Sequence, residues 1–249
     1  EMGDNLPSID LGTGRTAKAI TAGYSHTCAI LDNSNIKCWG NNNNGQLGLG
    51  DTANRGDGAN EMGENLTSID LGTGRTTVSI AAGWYHTCSL LDNYSVKCWG
   101  DASTGQMGTG KSFDLGDQSG EMGDSTSGDL VGGTINLGTG RTATAIAASG
   151  SHNCAILDNS SIKCWGSNAV GQLGLGDTTT RGNNPDGGGN SVMGDNLPSI
   201  DLGTGRTARG VITGVFQTCA IMDNASIKCW GSNDSGQLGL GDTDSRGDE

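Results

Sequence analysis

The sequence predicts an all-β fold, a β-propeller built from four-stranded blades, and three observations carry that prediction. A frame of two apolar runs, a polar turn, one cysteine in each run and a closing Trp-Gly occurs four times in the 249 residues. Glycine supplies 45 of those residues, which fits many tight turns between short strands. No helical period is visible within a repeat. Short strands joined at glycines, four to a unit, are typical of propeller blades.

The repeats define the domain organisation. The first cysteine of each falls at Cys28, Cys88, Cys154 and Cys219, so successive repeats are offset by 60, 66 and 65 residues. We assign a single domain over 1–249, with repeats at approximately 1–57, 58–117, 118–182 and 183–249. The Gly/Ser/Asp-rich insertion 125–133 is expected to be a surface loop. Three arrangements stay open: a segment of a longer tandem array, a small closed propeller, or a ring completed by two chains.

Within the first repeat we predict strands at 8–11, 17–22, 26–31 and 36–39. The last two form a hairpin whose midpoint is Asn33. Its two cysteines therefore face each other across an antiparallel pair, and the isoleucines at 30 and 36 pair next to them.

The cysteines indicate both a covalent framework and a compartment. We predict four local disulfides, each contributing about 2–3 kcal/mol to stability. Paired cysteines with none left over indicate an oxidising environment, so we expect an extracellular or cell-surface protein. The four pairs are Cys28 with Cys38, Cys88 with Cys98, Cys154 with Cys164, and Cys219 with Cys229.

The repeat resembles a known family. The pattern Ala-Gly-x-x-His-Thr-Cys-Ala-Ile-Leu-Asp-Asn, followed by Ile-Lys-Cys-Trp-Gly-x-Asn-x-x-Gly-Gln-Leu-Gly-Leu-Gly, is similar to the repeat of the regulator of chromosome condensation family. The resemblance covers essentially the whole chain. It implies a β-propeller, which has seven blades in that family, and paired cysteines are what its secreted members would carry. The nucleotide-exchange role familiar in the family conflicts with the disulfides and with the lack of a basic tail.

The charge argues against nucleic acid as a partner, and the hydropathy argues against a membrane-spanning helix. The net charge of −13 opposes binding to a polyanion, and the basic residues fall singly, so we expect no nucleic acid. No apolar run approaches the roughly 18 residues of a spanning helix, so we expect no membrane span.

Five sequons fit N-glycosylation, and three of them lie at one repeat position, the tip of the cysteine hairpin. The competing interpretation is that Asp-Asn is favourable turn chemistry. The tip asparagines are Asn93, Asn159 and Asn224, and the other two are Asn65 and Asn233.

Metal and cofactor sites are not predicted. His26, His86 and His152 lie two residues before a cysteine, a spacing that places zinc ligands on one face of a strand. The fourth repeat has Gln217 there, so we interpret the histidines as structural. Calcium is a weaker alternative at the acidic stretch 242–249.

Two further motifs have a structural and a functional interpretation. The Gly-Thr-Gly-Arg segments lack the features of a phosphate loop, so we predict that each arginine pairs with an aspartate of a neighbouring blade. Trp84, Tyr85 and Phe216 occur irregularly at one strand-entry loop. They indicate a contact surface, or else they fill a gap in a blade. The repeated tryptophans of the Trp-Gly pairs are expected to pack between blades.

The function predicted from these observations is an extracellular structural or adhesive repeat protein, part of a larger surface assembly or fibre. The alternative is a soluble protein-binding or inhibitory β-propeller module. Partners would be proteins, or further copies of the chain, bound through propeller faces or edges. No nucleophile and base can be placed together, so an enzyme is not predicted.

Overall fold

A computed structural model describes residues 2–124, 134–183 and 192–249, so the insertion predicted as a surface loop lies outside the described residues. The described chain forms four three-stranded antiparallel sheets, and we call them blades 1 to 4. Short 3-10 turns lie at Gly3–Asn5, Gly63–Asn65 and Gly194–Asn196. The strands are β1 (Ala17–Ala22), β2 (His26–Leu31), β3 (Ile36–Gly40), β4 (Thr77–Ala82), β5 (His86–Leu91), β6 (Val96–Gly100), β7 (Ala143–Ser149), β8 (His152–Leu157), β9 (Ile162–Gly166), β10 (Ala208–Thr213), β11 (Gln217–Met222) and β12 (Ile227–Gly231).

The cysteine hairpin has the predicted register. Cys28 pairs with Cys38 across β2 and β3, and Ile30 pairs with Ile36. The tip turns at Ser34, which has a φ of 64°. A disulfide closes each of the four hairpins, as predicted.

The strand predicted at 8–11 is wrong. Residues 8–11 form no strand, so each described sheet has three strands rather than four. The equivalent segment of the second repeat lies beside β3 of the preceding blade, where the Ile69 N–H donates to the Ile36 carbonyl over 3.0 Å. That bond forms no ladder, and the segment is also held by the burial of Ile69 and by the bond from the Lys37 Nζ to the Gly63 carbonyl at 2.7 Å. The start of the second, third and fourth repeats therefore lies against the blade before it, through the bonds from Ile69 to Ile36, from Ile135 to Val96 and from Ile200 to Ile162.

Alternation along the strands gives every blade two faces. The face carrying the two cysteines, which we call the cysteine face, turns toward the next blade along the chain. The opposite face, the tryptophan face, carries the Trp-Gly tryptophan and turns toward the previous blade. Contacts between these faces form three joints, and Trp99 and Trp165 are buried in them as predicted.

The two end faces are left open. Ile227, on the cysteine face of blade 4, is 67% exposed, and Trp39, on the tryptophan face of blade 1, is only half-buried. The four blades of the described chain therefore form an open arc, because these two faces do not cover each other.

Candidate functional site

Four aromatic side chains meet where the inner loops of the blades converge. We call Tyr24, Trp84, Tyr85 and Phe216 the aromatic hub. Tyr24 lies edge-on to Trp84 and Tyr85, with ring centroids 6.5 and 5.7 Å apart. Trp84 lies edge-on to Phe216 at 5.8 Å. Blades 1, 2 and 4 thus contribute to one aromatic surface.

The hub is positioned by the loops that join the first and second strands of each blade. These loops stack on one another, because the Tyr24 N–H donates to the Trp84 carbonyl at 3.3 Å and the Trp84 N–H to the Gly150 carbonyl at 2.8 Å. A side chain at Gly83 would collide with the His86 ring and approach the Gly150 carbonyl, so the close stacking requires glycine there. Blade 3 contributes backbone at this level and no aromatic ring.

Hub residues combine contact with exposure. Tyr24 is 67% exposed and Phe216 48% exposed, although each ring touches another. Three of the four were indicated by the sequence, and the structure brings them together. Tyr24 was missed, although it occupies the same place as Trp84 in the Ala-Gly-x-x-His pattern, and that alignment was the available signal. Clustered, exposed aromatics suit protein recognition.

The histidines lie inside the joints and away from the hub surface. Their Nε2 atoms pair with the Oγ1 of Thr87, the Oδ1 of Asn153 and the Oγ1 of Thr218 in the next blade, at 2.8, 2.7 and 2.9 Å. Burial lowers the pKa of His26 and His86 to about 4 and that of His152 to about 3, so all three are neutral at pH 7.

The cysteines lie in the same joints. Their sulfur atoms form disulfides, and the described residues contain no group of three or more His, Cys, Asp or Glu side chains able to hold a metal ion. The histidines act as hydrogen-bonding groups between blades, which agrees with the structural interpretation.

The arginines of the Gly-Thr-Gly-Arg segments pair differently from the prediction. Each contacts an aspartate of its own repeat, and none of the described pairs reaches a neighbouring blade. Arg141 lies 3.3 Å from Asp158, for example, and both belong to the third repeat. The reason is that each arginine follows a turn which lies over the hairpin tip of its own blade. The equivalent pairs are Arg15 with Asp32, Arg75 with Asp92, and Arg206 with Asp223.

The predicted glycan acceptors fall into two groups. The hairpin-tip asparagines 93, 159 and 224 are exposed, as is Asn65. Each tip Oδ1 accepts a hydrogen bond from the serine two residues on, as with Asn93 and Ser95 at 2.7 Å. Asn233 is instead buried, and its Nδ2 donates to the Asp242 carbonyl at 2.9 Å. The structure therefore argues against Asn233, because its amide is enclosed by the following loop.

In the acidic stretch considered for calcium, the Asp242 carboxylate is hydrogen-bonded within the chain. The Asp242 carboxylate accepts from Arg246 at 2.7 Å, and it also accepts from Asn233.

No helix in the described part of the chain has the length and apolar character needed to span a bilayer.

Family comparisons agree with the repeat pattern. Family models for the regulator of chromosome condensation (RCC1) repeat match residues 17–46, 77–106 and 143–172, and also residues 38–90. The Ultraviolet-B receptor UVR8 of Arabidopsis thaliana is 26% identical over 92% of this chain and 44% of the receptor. The E3 ubiquitin-protein ligase HERC2 of Homo sapiens is 24% identical over 90% of this chain and 4% of the ligase. The chain thus spans less than half the length of these relatives.

Solved structures support the same architecture. Yeast RCC1 (Prp20), in a crystal structure with Kap60, matches 96% of this chain and 48% of the solved chain, with a TM-score of 0.62 and 18% identity. Human WBSCR16 matches 93% of this chain and 66% of the solved chain, with a TM-score of 0.54 and 17% identity. At these identities the likeness concerns the fold.

Proposed function

Because the chain is built from RCC1 repeats, we propose that it acts as a protein-binding β-propeller module whose contact surface is the aromatic hub. The observation that carries this proposal is the convergence of Tyr24, Trp84 and Phe216 from three different blades onto one surface, on which Tyr24 and Phe216 are exposed and Trp84 is half-buried. Aromatic residues are enriched in the buried centres of protein interfaces and supply many of their energetically dominant contacts. A rigid scaffold holds these rings in place before binding, which lowers the entropy cost of association.

Two further observations support a protein ligand over catalysis, and a third indicates the charge of the partner. The solved yeast RCC1 relative is bound to another protein, Kap60. In this chain the histidines, the usual general bases, are buried in joints and have lowered pKa values, which keeps them away from any substrate. The net charge of −13 favours a basic partner through electrostatic steering.

We further infer that the protein works outside the cell, with N-glycans at Asn93, Asn159 and Asn224. Four disulfides support this compartment. The three tip asparagines are exposed and lie on the hairpins, away from the hub loops. Expression through a eukaryotic secretory pathway, followed by intact mass before and after glycosidase, tests this. Glycosidase is expected to remove mass that corresponds to glycans at the three tips, with none from Asn233. An unchanged mass would refute the glycan proposal.

The hub is tested by comparing two aromatic surfaces on one protein. The wild-type chain, a Trp84→Ala/Phe216→Ala variant and a Tyr94→Ala variant are immobilised and exposed to the same secreted proteins. Tyr94 is the matched control, because it is a similarly exposed aromatic residue at a hairpin tip, away from the hub. Proteins retained by the wild-type chain should be lost with the hub variant and kept with Tyr94→Ala, as measured by mass spectrometry.

Circular dichroism of the three proteins separates a lost contact from a lost fold. If a folded hub variant retains the same proteins as the wild type, the hub is not the binding surface. If the Tyr94 variant loses them instead, the contact lies at the hairpin tips.

A further inference from the structure

We propose that the aromatic hub binds the guanidinium group of an arginine side chain on the partner protein. The inference rests on the proposed function, because it names the chemical group that the hub takes from a protein partner. It follows from the orientation of the hub rings and from the charges of the loops around them.

The hub rings meet edge to face, which leaves ring faces open to a ligand. The interplanar angles are 70° for Tyr24 with Trp84, 62° for Tyr24 with Tyr85, and 88° for Trp84 with Phe216. In such a contact the edge of one ring covers a single face of the other. Tyr85 is 36% exposed and Phe216 is 48% exposed, so parts of these rings reach solvent. Aromatic faces carry the negative part of the ring quadrupole and attract cations.

Trp84 lies at the centre of the hub. Its ring contacts both Tyr24 and Phe216, and the residue is half-buried. Its backbone N–H and carbonyl are both hydrogen-bonded to neighbouring loops, which holds the residue in place. Tryptophan gives the strongest cation–π attraction among the aromatic side chains. We therefore expect Trp84 to supply the main ring contact with the cation.

The loops that form and border the hub contain no lysine or arginine. A loop that follows the third strand borders each hub-forming loop, as where the Asp101 N–H donates to the Tyr85 carbonyl at 2.9 Å. The histidines in these segments are neutral at pH 7, because burial lowers their pKa. These loops therefore place no cation of their own against the rings. The hub-forming segments are 22–26, 82–86, 149–152 and 213–217, and the bordering segments are 41–46, 101–106, 167–172 and 232–237.

Blade 2 places a carboxylate beside the hub. Asp101 lies next to Tyr85 through the backbone bond. Its carboxylate accepts from the Ser103 hydroxyl at 2.9 Å and from the Gln106 Nε2 at 2.7 Å. Both donors are neutral, so they orient the carboxylate and leave its charge in place. An oriented anion at the edge of the rings favours a cationic ligand.

Blade 4 places a second carboxylate beside Phe216. The Ser232 N–H donates to the Phe216 carbonyl at 2.9 Å, and the Ser232 hydroxyl donates to the Asp234 carboxylate at 3.4 Å. Asp234 is exposed. The other bordering segments, 41–46 and 167–172, carry no charge, so both negative charges belong to the blades that supply three of the four rings.

The arginines that come later in the same loops are already paired. Each forms an ion pair with the aspartate four residues before it, which offsets its charge. In the second repeat these two positions hold Lys111 and Leu115 instead. The chain as a whole has a net charge of −13, so its field attracts a positive ligand over a longer range. The pairs are Arg55 with Asp51, Arg181 with Asp177, and Arg246 with Asp242.

Arginine fits this combination better than lysine. Its planar, weakly hydrated guanidinium stacks on aromatic faces and donates paired hydrogen bonds to carboxylates. The ammonium of lysine is a compact and strongly hydrated charge, so it loses more hydration when it leaves water. The hub offers ring faces and carboxylates together, and one guanidinium can use both.

Two peptides that differ in one charge test the inference on the 249-residue chain. One is acetyl-Gly-Gly-Arg-Gly-Gly-amide, and in the other citrulline, a neutral group of similar shape, replaces the arginine. The indole N–H signals of the five tryptophans are followed by ¹⁵N–¹H NMR, and the Trp84→Phe variant identifies the Trp84 signal. The arginine peptide should shift that signal with an affinity at least about threefold higher than that of the citrulline peptide. The signals of Trp99, Trp165 and Trp230 should not move.

Removing the carboxylates isolates their electrostatic contribution. The Asp101→Asn/Asp234→Asn variant should bind the arginine peptide about two- to fivefold more weakly and the citrulline peptide as before. Asp92→Asn/Asp158→Asn is the matched control, because it removes two negative charges at hairpin tips, at the opposite ends of β5 and β8 from the hub loops. Circular dichroism shows whether each variant is folded.

Equal affinity for the arginine and citrulline peptides overturns the inference. So does a shift of other indole signals while the Trp84 signal stays unchanged, and so does tighter binding of the lysine peptide than of the arginine peptide. If the hub captures secreted proteins but does not distinguish arginine from citrulline, this inference fails and the proposed function stands. If the folded Trp84→Ala/Phe216→Ala variant keeps every captured protein, the proposed function itself fails, and the inference about its partner falls with it.

Discussion

Ile162 and Ile227 occupy the same position in consecutive repeats, in identical Ser-Ile-Lys-Cys-Trp-Gly segments. Ile162 is fully buried at the joint between blades 3 and 4, whereas Ile227 is 67% exposed at the open end. The strands around them are the same, so the difference comes from the presence or absence of a following blade. The repeat therefore encodes half of each of two joints rather than a complete blade, as expected of an architecture stabilised by nearest-neighbour interfaces.

The largest expected loss of stability comes from removing a tryptophan at a joint, compared with removing the equivalent tryptophan at an open face. Trp165 is 1% exposed and bonded to the Gln106 carbonyl, so Trp165→Ala should cost about 3–5 kcal/mol of unfolding free energy. Trp39→Ala removes the same side chain from an open face and should cost less than about half as much, because part of that surface already contacts water. Denaturant titrations at the lowest workable protein concentration measure both. Equal costs for the two variants at low concentration would contradict the distinction between joints and ends.

The comparison also shows which parts of the structure were accessible from the sequence. The strands Ala17–Ala22 and His26–Leu31 begin and end where they were predicted, because glycine turns and alternating residues act locally. The cysteine register followed from symmetry about Asn33. These features depend on neighbours along the chain, and such neighbours are visible in the sequence.

Features that depend on neighbours in space were not accessible in this way. Residues 8–11 were assigned to their own repeat, but the equivalent segment at Ile69 contacts the preceding blade, and no local signal distinguishes the two. The hub was only partly predicted for the same reason. Trp84 and Phe216 lie 132 positions apart in the numbering and meet because the blades curve around a centre.

A smaller effect is expected from the histidines, which also distinguish joints from ends. Burial lowers the pKa of His86 to about 4, from about 6.5 in an unfolded chain. The unfolded chain therefore binds the proton first, so the contribution to stability is complete above pH 6.5 and is lost as the pH falls toward 4. Each buried histidine should lower the free energy of unfolding by about 1.4 kcal/mol for each unit by which the pH falls within that window.

Gln217 is the natural control, because blade 4 carries glutamine at the histidine position and ends the arc. His86→Gln should reduce the slope of stability against pH by about 1.4 kcal/mol per unit between about pH 6 and pH 5. Urea titrations at several pH values give that slope. An unchanged slope would mean that His86 is accessible to protons in the folded chain.

The smallest expected loss of stability comes from removing an exposed ion pair, and it should be the same in blade 1, at the end of the arc, as in blade 3, between two joints. Arg15 pairs with Asp32 in blade 1, and Arg141 pairs with Asp158 in blade 3, both at 3.3 Å and with closely similar exposure. Each pair lies within one repeat, so a missing neighbour should not affect it. Exposed ion pairs contribute about 0.2–1 kcal/mol, so Arg15→Ala and Arg141→Ala should each cost that much and differ little. Raising the salt concentration should reduce both costs together. A clearly larger cost in blade 3 would show that the joints stabilise even contacts internal to a repeat, and the unit of stability would then be the stacked pair of blades.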